Sequence, residues 1–304
     1  MSKLWYTFFR KIRTEKEGQE VEEEDLEIRK NSVQETLLLP LYGRVQCNRL
    51  YPELYTDSES EKALERLNLK KTGEVDDKSM TVRFGALEAC MREYDISLEI
   101  RAYLAQRPEA AVVNLGCGLD PIAKNCDNGT CRIYNLDMPD VIEVREKIFP
   151  AGEREKNIGA NISDFSWFEK IDVSEGAIFI ACGVFYYFHT EDVKKLFTAM
   201  NERFPGCVLV FDTAGKTALK VMLKSLVKDK AGIDNVSGYF HGGNPKKDIL
   251  PWSNGFTATW KGYMKGYHNL KVKSVPGSYR FLSGFADKCM KMKIVKIEFQ
   301  AVKK

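Results

Sequence analysis

Long apolar runs are missing from this chain of 304 residues. No stretch approaches the roughly 20 consecutive apolar residues that a membrane-spanning helix needs. The start of the chain also lacks an apolar run followed by small residues, which is the pattern of a cleavable signal peptide. We therefore expect a cytoplasmic protein without a membrane span. Residues 1–13 mix aromatic and basic side chains, which would suit an interfacial helix, but we expect this short segment to dock on its own domain.

Metal ligands are scarce as well. The sequence holds three histidines, and its eight cysteines include no Cys-x-x-Cys pair. This pattern is unlike a zinc site or a disulfide framework. We expect reduced thiols and no bound metal.

An excess of one charge sign is the third absence. The 46 Lys and Arg residues and the 43 Asp and Glu residues nearly cancel, which leaves a formal net charge of +3. A dedicated nucleic-acid-binding protein is usually far more basic, so we expect no nucleic acid partner. The 44% of apolar residues can form a substantial core, and a small-molecule substrate fits this composition. The sequence leaves the oligomeric state open.

Composition divides the chain into three parts. Residues 1–31 form a charged N-terminal extension with few apolar positions. Residues 32–107 carry apolar residues at helical spacing and predict a helical cap. In residues 108–304, short runs rich in Val, Ile and Phe alternate with helical segments, which is typical of a parallel sheet flanked by helices. The sequence therefore predicts one α/β domain behind a helical cap.

Short apolar runs mark the strands of this domain. Strands are predicted at residues 111–115, 132–136, 177–181 and 207–212. Residues 291–302 alternate polar and apolar side chains, which predicts an antiparallel or edge strand that ends the sheet. The connection at about 215–270 is too long for a simple loop, so we expect helices in it that form a lid over a site.

A glycine turn follows the first predicted strand. Gly116 and Gly118 flank Cys117, and the missing side chains let the backbone approach a ligand closely. Asp137 ends the next strand, where an acid accepts hydrogen bonds from ribose hydroxyls, and Met138 follows it. This combination predicts a nucleoside site.

The charge of the turn indicates which nucleoside. Asp120 and Pro121 stand where a dinucleotide site needs open backbone amides for its pyrophosphate, so NAD is disfavoured. S-adenosylmethionine carries a sulfonium and an ammonium group instead, and both suit an acidic turn. Its single carboxylate needs an arginine, and Arg83 or Arg92 of the cap could supply it.

Two later segments fit the same ligand. Asn161, Ile162 and Asp164 follow the third strand position, where a polar side chain can meet the adenine amino group and an apolar one can pack on the ring. The fourth strand leads into Cys182 and Gly183 and then into aromatic residues, at the sheet edge where open α/β proteins bind ligands. We expect Tyr186 and Tyr187 to flank the methyl group, although ordinary packing explains at least one of them equally well.

Three motifs carry a family resemblance, namely VNLGCGLD at 113–120, LDMPDVIEVR at 136–145 and GVFYY at 183–187. They resemble the leucine carboxyl methyltransferase family, in the branch that is similar to tetracenomycin-type polyketide O-methyltransferases. The resemblance implies the class I S-adenosylmethionine-dependent methyltransferase fold, a Rossmann-like and mostly parallel seven-stranded sheet with an antiparallel last strand. It also implies that the glycine turn and Asp137 bind the cofactor. The sequence departs from the family pattern at Pro121, Asn161 and Cys182.

The acceptor chemistry stays open at this point. A carboxylate acceptor needs no base, whereas a hydroxyl acceptor gains from one, and Tyr187, His189 and His241 are the candidate catalytic residues. Tyr239, Trp252 and Trp260 are candidates for the substrate pocket. The acceptor is predicted to be a polyketide-like acid or another metabolite, with a protein C-terminal carboxyl group as an alternative. Two competing hypotheses for the whole chain are an NAD-dependent oxidoreductase and a cofactor-binding module without catalytic activity.

Overall fold

The computed structural model describes residues 33–67, 80–220 and 239–301. The predicted N-terminal extension and residues 221–238 of the predicted lid lie outside these ranges. Three helices precede the sheet: α1 is Val33–Leu50, α2 is Ser58–Arg66 and α3 is Met80–Gln106. Asp57 caps α2, because its side chain accepts a hydrogen bond from the Ser60 backbone N–H.

Seven strands and five further helices make up the rest of the described chain. The strands are β1 Ala111–Leu115, β2 Arg132–Asp137, β3 Glu155–Gly159, β4 Ala177–Ala181, β5 Val208–Thr213, β6 Phe256–Gly262 and β7 Lys293–Phe299. The helices are α4 Ile122–Asn125, α5 Pro139–Ile148, α6 Thr190–Arg203, α7 Pro245–Asp248 and α8 Gly277–Cys289. Short 3-10 helices lie at Phe165–Lys170, Phe185–Tyr187 and Leu250–Trp252.

The strands form one sheet in the order β3-β2-β1-β4-β5-β7-β6. The first five strands in this order are parallel, and β7 runs antiparallel to both β5 and β6. The predicted mostly parallel seven-stranded sheet with an antiparallel last strand is therefore confirmed. The chain reverses direction across the sheet between β1 and β4, so the carboxyl ends of these two strands flank the crevice in which such sheets bind ligands.

One strand lies where the sequence predicted helices. Phe256–Gly262 falls inside the predicted lid, yet it forms the outer strand β6 and pairs with β7 along its whole length. Strand β7 is consequently an inner strand and does not lie at the edge. Phe256 is buried and Ala258 packs on the same core, so β6 covers one face with apolar side chains and exposes most of the other.

Both faces of the sheet are covered. On one face, α1, α3 and α8 pack against alternating strand residues such as Val112, Ile178 and Val210. On the other face, the alternate residues meet α6 and a cluster of aromatic rings that includes Trp167 and Phe204. Burial on both faces explains why the central strands are continuous apolar runs in the sequence.

A disulfide joins Cys47 of α1 to Cys90 of α3, with the two Cα atoms 5.7 Å apart. The expectation that all the cysteines are reduced is therefore wrong for this pair. The sequence hides the pairing because 43 positions separate the two residues, and only the packing of α1 on α3 brings them together. Within the described residues, no helix combines the length and the apolar character that a bilayer crossing requires.

Candidate active site

The glycine turn has the left-handed backbone that its residues favour. Gly116 has φ +64° and Gly118 has φ +47°, a region that other L-residues adopt only with strain. A side chain at position 116 would also meet Val184, because an added Cβ would lie 2.7 Å from a methyl carbon of that residue. The turn after β1 is thus packed directly against the segment that follows β4.

Asp137 is tied to this turn. Its carboxylate accepts hydrogen bonds from the backbone N–H groups of Gly118 and Met138, both at 2.7 Å. The side chain is half-buried, and burial raises the pKa of the carboxyl group. The structure therefore places Asp137, the predicted partner of the ribose hydroxyls, at the glycine turn.

Two buried arginines hold the carbonyl groups of the turn. Arg145 of α5 donates to the backbone oxygens of Gly118 and Asp120, each at 2.9 Å, and Arg44 of α1 donates to that of Leu119 at 2.6 Å. Sequence reasoning missed both residues. A signal was present for Arg145, since it interrupts the apolar face of α5 that contains Val141, Ile142 and Ile148.

The segment after β3 lies beside Asp137. The Ala160 N–H donates to the Asp137 backbone oxygen at 2.8 Å. Ile162 is buried, whereas the side chains of Asn161 and Asp164 accept hydrogen bonds from Ser163 and Ser166 of their own turn. Of the three predicted adenine contacts, Ile162 is therefore the one whose side chain is apolar and buried.

Arg92 of α3 reaches the segment after β4. An added Cβ on Gly183, which has φ +72°, would lie 2.8 Å from an Arg92 guanidinium nitrogen, so the guanidinium rests on the open face of this glycine. The guanidinium also pairs with Asp212 at the end of β5, at 3.8 Å. Its Nε is buried and has no hydrogen-bond partner among the residues that the structure describes. Arg83 lies nine residues earlier on the same helix, about 13 Å away along its axis. The structure thus brings Arg92 to the turns and leaves Arg83 at a distance from them.

Asp212 anchors this side of the site, and sequence reasoning missed it. Its two oxygens accept hydrogen bonds from the Gly183 N–H at 2.5 Å and from the Tyr186 hydroxyl at 3.1 Å. Tyr186 is buried, so its phenol positions Asp212 and does not form an open pocket wall. Tyr187 is 54% exposed.

Glu93, next to Arg92, is a further residue that the sequence analysis did not identify. Its carboxylate lies with the carboxylate of Asp120 and the thiol of Cys182, and their donor atoms are all within 4.8 Å of one another. The Glu93 side chain is 1% exposed and pairs with Arg44 only at 3.7 Å. Burial, followed by the proximity of Asp120, raises the pKa of Glu93 well above its usual range. Burial likewise raises the pKa of the Cys182 thiol.

The histidine candidates lie around the end of β5 and the start of α6. His189 precedes α6, pairs with Tyr239 through a β-bridge, and its ring lies 4.7 Å from the Tyr239 ring. His241 precedes Gly242, whose N–H donates to the Thr213 hydroxyl at 2.8 Å. Both histidines are therefore on the carboxyl side of the sheet.

Two predicted pocket residues lie elsewhere. Trp252 packs on Phe197 and Phe240, with ring centroids 5.8 Å apart in both pairs, and so belongs to the core behind β5. Trp260 is 38% exposed on the outer strand β6. The structure instead places Tyr263 near Arg92 and Asp212, where burial raises the pKa of its phenol.

Comparisons with known proteins agree with this geometry. The model of the leucine carboxyl methyltransferase family matches residues 53–201. The tetracenomycin polyketide synthesis O-methyltransferase TcmP of Streptomyces glaucescens is 28% identical over 190 residues, which cover 61% of this chain and 67% of that protein. A solved structure from Thermobifida fusca YX, assigned as a methyltransferase, superposes with a TM-score of 0.53 at 14% identity and covers 79% of this chain and 94% of that one. The last likeness concerns the fold alone.

The fold, the site and these likenesses define the class of protein as an S-adenosylmethionine-dependent methyltransferase. Within this class, the chain is similar to the leucine carboxyl methyltransferase family over residues 53–201 and to TcmP over 190 residues, so the predicted resemblance is confirmed. The described residues fit the cofactor, because a glycine turn, a carboxylate at the end of β2 and an arginine with an unpartnered Nε meet at one edge of the sheet.

Proposed function

We propose that this chain methylates an oxygen atom of a small, polyketide-like metabolite. The observation that carries the proposal is the meeting of three elements at the crevice between β1 and β4. They are the glycine turn with Asp137, the open face of Gly183, and the Arg92 guanidinium that lies on it. Such an arrangement suits a ligand with a ribose at one end and a carboxylate at the other.

Each residue has a binding role in this proposal. Asp137 accepts hydrogen bonds from the ribose hydroxyls, Ile162 packs on the adenine ring, and Arg92 pairs with the carboxylate of the cofactor. The bound cofactor supplies a methyl group on a sulfonium. The chain then has to align an acceptor oxygen in line with that group and exclude water, which are contributions of position rather than of covalent chemistry.

A hydroxyl acceptor is favoured by Glu88. This residue lies four positions before Arg92, hence one turn earlier on the same face of α3. Burial raises its pKa to about 6, so it is mostly ionised at neutral pH. A second carboxylate beside it would be repelled, whereas a hydroxyl could transfer its proton to a base of this pKa. His189 and His241 remain weaker candidates for the same role.

The proposal is tested with purified protein, S-adenosylmethionine labelled in the methyl group, and a metabolite extract. We expect label in a small-molecule product that resists mild base, which marks an ether, whereas base-labile label would mark an ester. The Arg92→Lys variant keeps the charge but loses the planar fork, and we expect it to bind S-adenosylhomocysteine roughly 100-fold more weakly. Lys261→Arg, a substitution on the outer strand, serves as the control.

Three results would contradict the proposal. Label in the protein fraction alone would favour a protein carboxyl group as the acceptor. Binding of S-adenosylhomocysteine without any labelled product would favour a binding module. Calorimetry without a signal for S-adenosylhomocysteine would remove the cofactor assignment itself. A cytoplasmic location and the absence of a nucleic acid partner stay predictions from the composition.

A further inference from the structure

Glu93 presents a buried carboxylate that nothing in the described structure satisfies. Both of its oxygens are buried and neither has a hydrogen-bond partner. A buried carboxylate without hydrogen bonds is destabilising, so its presence indicates a ligand or another compensating role. Its contact with Arg44, at 3.7 Å, is longer than a hydrogen bond, and the Arg44 Nε donates instead to the Ser60 hydroxyl at 2.9 Å.

The charges around Glu93 leave room for a cation. Two guanidinium groups, of Arg44 and Arg92, face four carboxylates in this cluster of residues, and the carboxylates are those of Asp57, Glu93, Asp120 and Asp212. Asp57 already accepts hydrogen bonds from Ser60 and Asn125, and Asp212 from Gly183 and Tyr186. Asp120 accepts one from the Ile122 N–H at 2.8 Å. Within the described residues, Glu93 is therefore the carboxylate of this group without a hydrogen-bond donor.

The position of Glu93 matches that of the cofactor's amino-acid end. The Arg92 guanidinium contacts Gly183, and the carboxylate of the next residue, Glu93, lies within 4.8 Å of the Cys182 thiol. Two consecutive residues of α3 therefore face two consecutive residues after β4. Arg92 has an unpartnered donor and Glu93 has unpartnered acceptors. A zwitterion, with one carboxylate and one ammonium group on the same carbon, needs this combination of partners.

We propose that Glu93, assisted by Asp120, binds the ammonium group of the cofactor's methionine moiety. The inference rests on the proposed function, because it assumes that the crevice holds S-adenosylmethionine. An ammonium group donates three hydrogen bonds and has no acceptor. Oxygens no more than 4.8 Å apart can both lie within hydrogen-bond distance of one nitrogen between them.

A divalent metal ion is the competing ligand for the same atoms. Glu93, Asp120 and Cys182 offer one donor atom each. Two guanidinium groups stand beside these atoms, however, and the ammonium of an amino acid brings its own carboxylate to pair with Arg92, whereas a metal ion does not. This difference favours the zwitterion.

Calorimetry on the full-length protein tests the inference with two probes. S-adenosylhomocysteine contains the amino acid, and 5′-deoxy-5′-methylthioadenosine has the same nucleoside without it. We expect Glu93→Gln to weaken S-adenosylhomocysteine binding roughly 10- to 100-fold, as expected for one hydrogen bond to a charged group, and to change methylthioadenosine binding less than about twofold. The ratio of the two affinities separates recognition of the ammonium from general damage to the pocket.

Glu99→Gln is the matched control, since Glu99 lies on the same helix and bonds Tyr267 and Lys296 away from the turns. We expect it to leave both affinities unchanged. Thermal unfolding of Glu93→Gln without ligand should occur at or above the wild-type temperature, because a buried unpaired acid is removed.

Distinct results would overturn the inference or the proposed function. Wild-type affinity of Glu93→Gln for S-adenosylhomocysteine would overturn the role of Glu93. Binding of Zn²⁺ or Mg²⁺ that depends on Glu93, with unchanged S-adenosylhomocysteine affinity, would replace the ammonium by a metal. Failure of the wild-type protein to bind either adenosine probe would instead reject the proposed function on which the inference rests.

Discussion

The two halves of the candidate active site differ in how their polar atoms are paired. In the nucleoside half, formed by residues 116–119 and Asp137, the carbonyls of Gly118 and Leu119 are held by Arg145 and Arg44 and the Asp137 oxygens by backbone N–H groups. In the amino-acid half, formed by Arg92, Glu93, Cys182, Gly183 and Asp212, the Arg92 Nε and both Glu93 oxygens lack partners. The oxygens named in the nucleoside half therefore have hydrogen-bond partners without a ligand, whereas the Arg92 Nε and the Glu93 oxygens have none among the described residues.

This difference indicates that the two halves recognise a ligand in different ways. A turn whose hydrogen bonds are satisfied is rigid, so it can present its shape to a ligand without reorganising. Unpaired buried charge lowers the stability of the free protein but gains the most when a matching charge arrives, since the low dielectric strengthens the new pair. We infer that the nucleoside half selects by shape and the amino-acid half by charge.

The largest effect is expected from a substitution that removes hydrogen bonds from the nucleoside half. Arg145→Met removes the donor to the Gly118 and Asp120 carbonyls and leaves the half-buried Asn157 and Glu155 without the guanidinium near them. We expect the free energy of unfolding in urea to fall by about 3–5 kcal/mol, as for other broken buried ionic contacts.

A surface arginine provides the control for this change. Arg154 pairs with Asp127 but is exposed, so Arg154→Met should cost clearly less stability. Equal losses from the two variants would show that the turn does not depend on Arg145.

An intermediate effect is expected when Asp137, the acid of the nucleoside half, is replaced. Asp137→Asn should weaken S-adenosylhomocysteine and methylthioadenosine binding alike, each by roughly 10- to 100-fold, because both probes contain the ribose. Calorimetry measures both affinities. Asp140→Asn, an exposed position in the first turn of α5, is the control. A loss confined to S-adenosylhomocysteine would mean that Asp137 contacts the amino acid, and the two halves would no longer be distinct.

The smallest effect is expected from replacing a buried acid that lies outside the candidate site. Asp95 is fully buried, and neither of its oxygens has a hydrogen-bond partner. Burial, with Asp287 and Glu99 nearby and Lys261 opposing them, raises its pKa to about 9. Because the folded-state pKa lies above the unfolded-state value, stability is lost as the pH rises from about 4 to about 9. Asp95→Asn should therefore stabilise the protein by about 1–2 kcal/mol near neutral pH, after the cost of burying an amide.

Unfolding curves at several pH values check this prediction. The gain over the wild type should vanish near pH 4 and grow toward pH 9, while the affinity for S-adenosylhomocysteine stays unchanged. A gain that does not vary with pH would mean that the pKa of Asp95 is the same in the folded and the unfolded state. Loss of affinity would place Asp95 in the site after all.

Much of the fold followed from local patterns. The strands at 111–115 and 177–181 have the bounds that the sequence predicts, because buried parallel strands are continuous apolar runs bounded by turns. Strand β6 escaped prediction because an outer strand, half exposed, has no such run. Its place beside β7 is set by pairing with a strand more than 30 positions later in the sequence.

The candidate site was predictable where one residue type is required by backbone geometry or by the end of a strand. Gly116, Gly118 and Asp137 are of this kind. Glu93 and Asp212 were not predictable, because neither combines with a glycine turn as Asp137 does, and only packing shows that they are buried. Trp252 and Trp260 were chosen for their residue type, which does not distinguish a core ring or a surface ring from a pocket wall.

By itself, the sequence determined the sheet, the glycine turn and the class of ligand, because each depends on short-range spacing and on the charge of neighbouring residues. Only the tertiary structure decided which arginine reaches the crevice, which carboxylate remains without a partner there, and which cysteines meet. These properties depend on contacts between residues far apart in the chain, and burial gives such contacts an energy that the same residues lack in water.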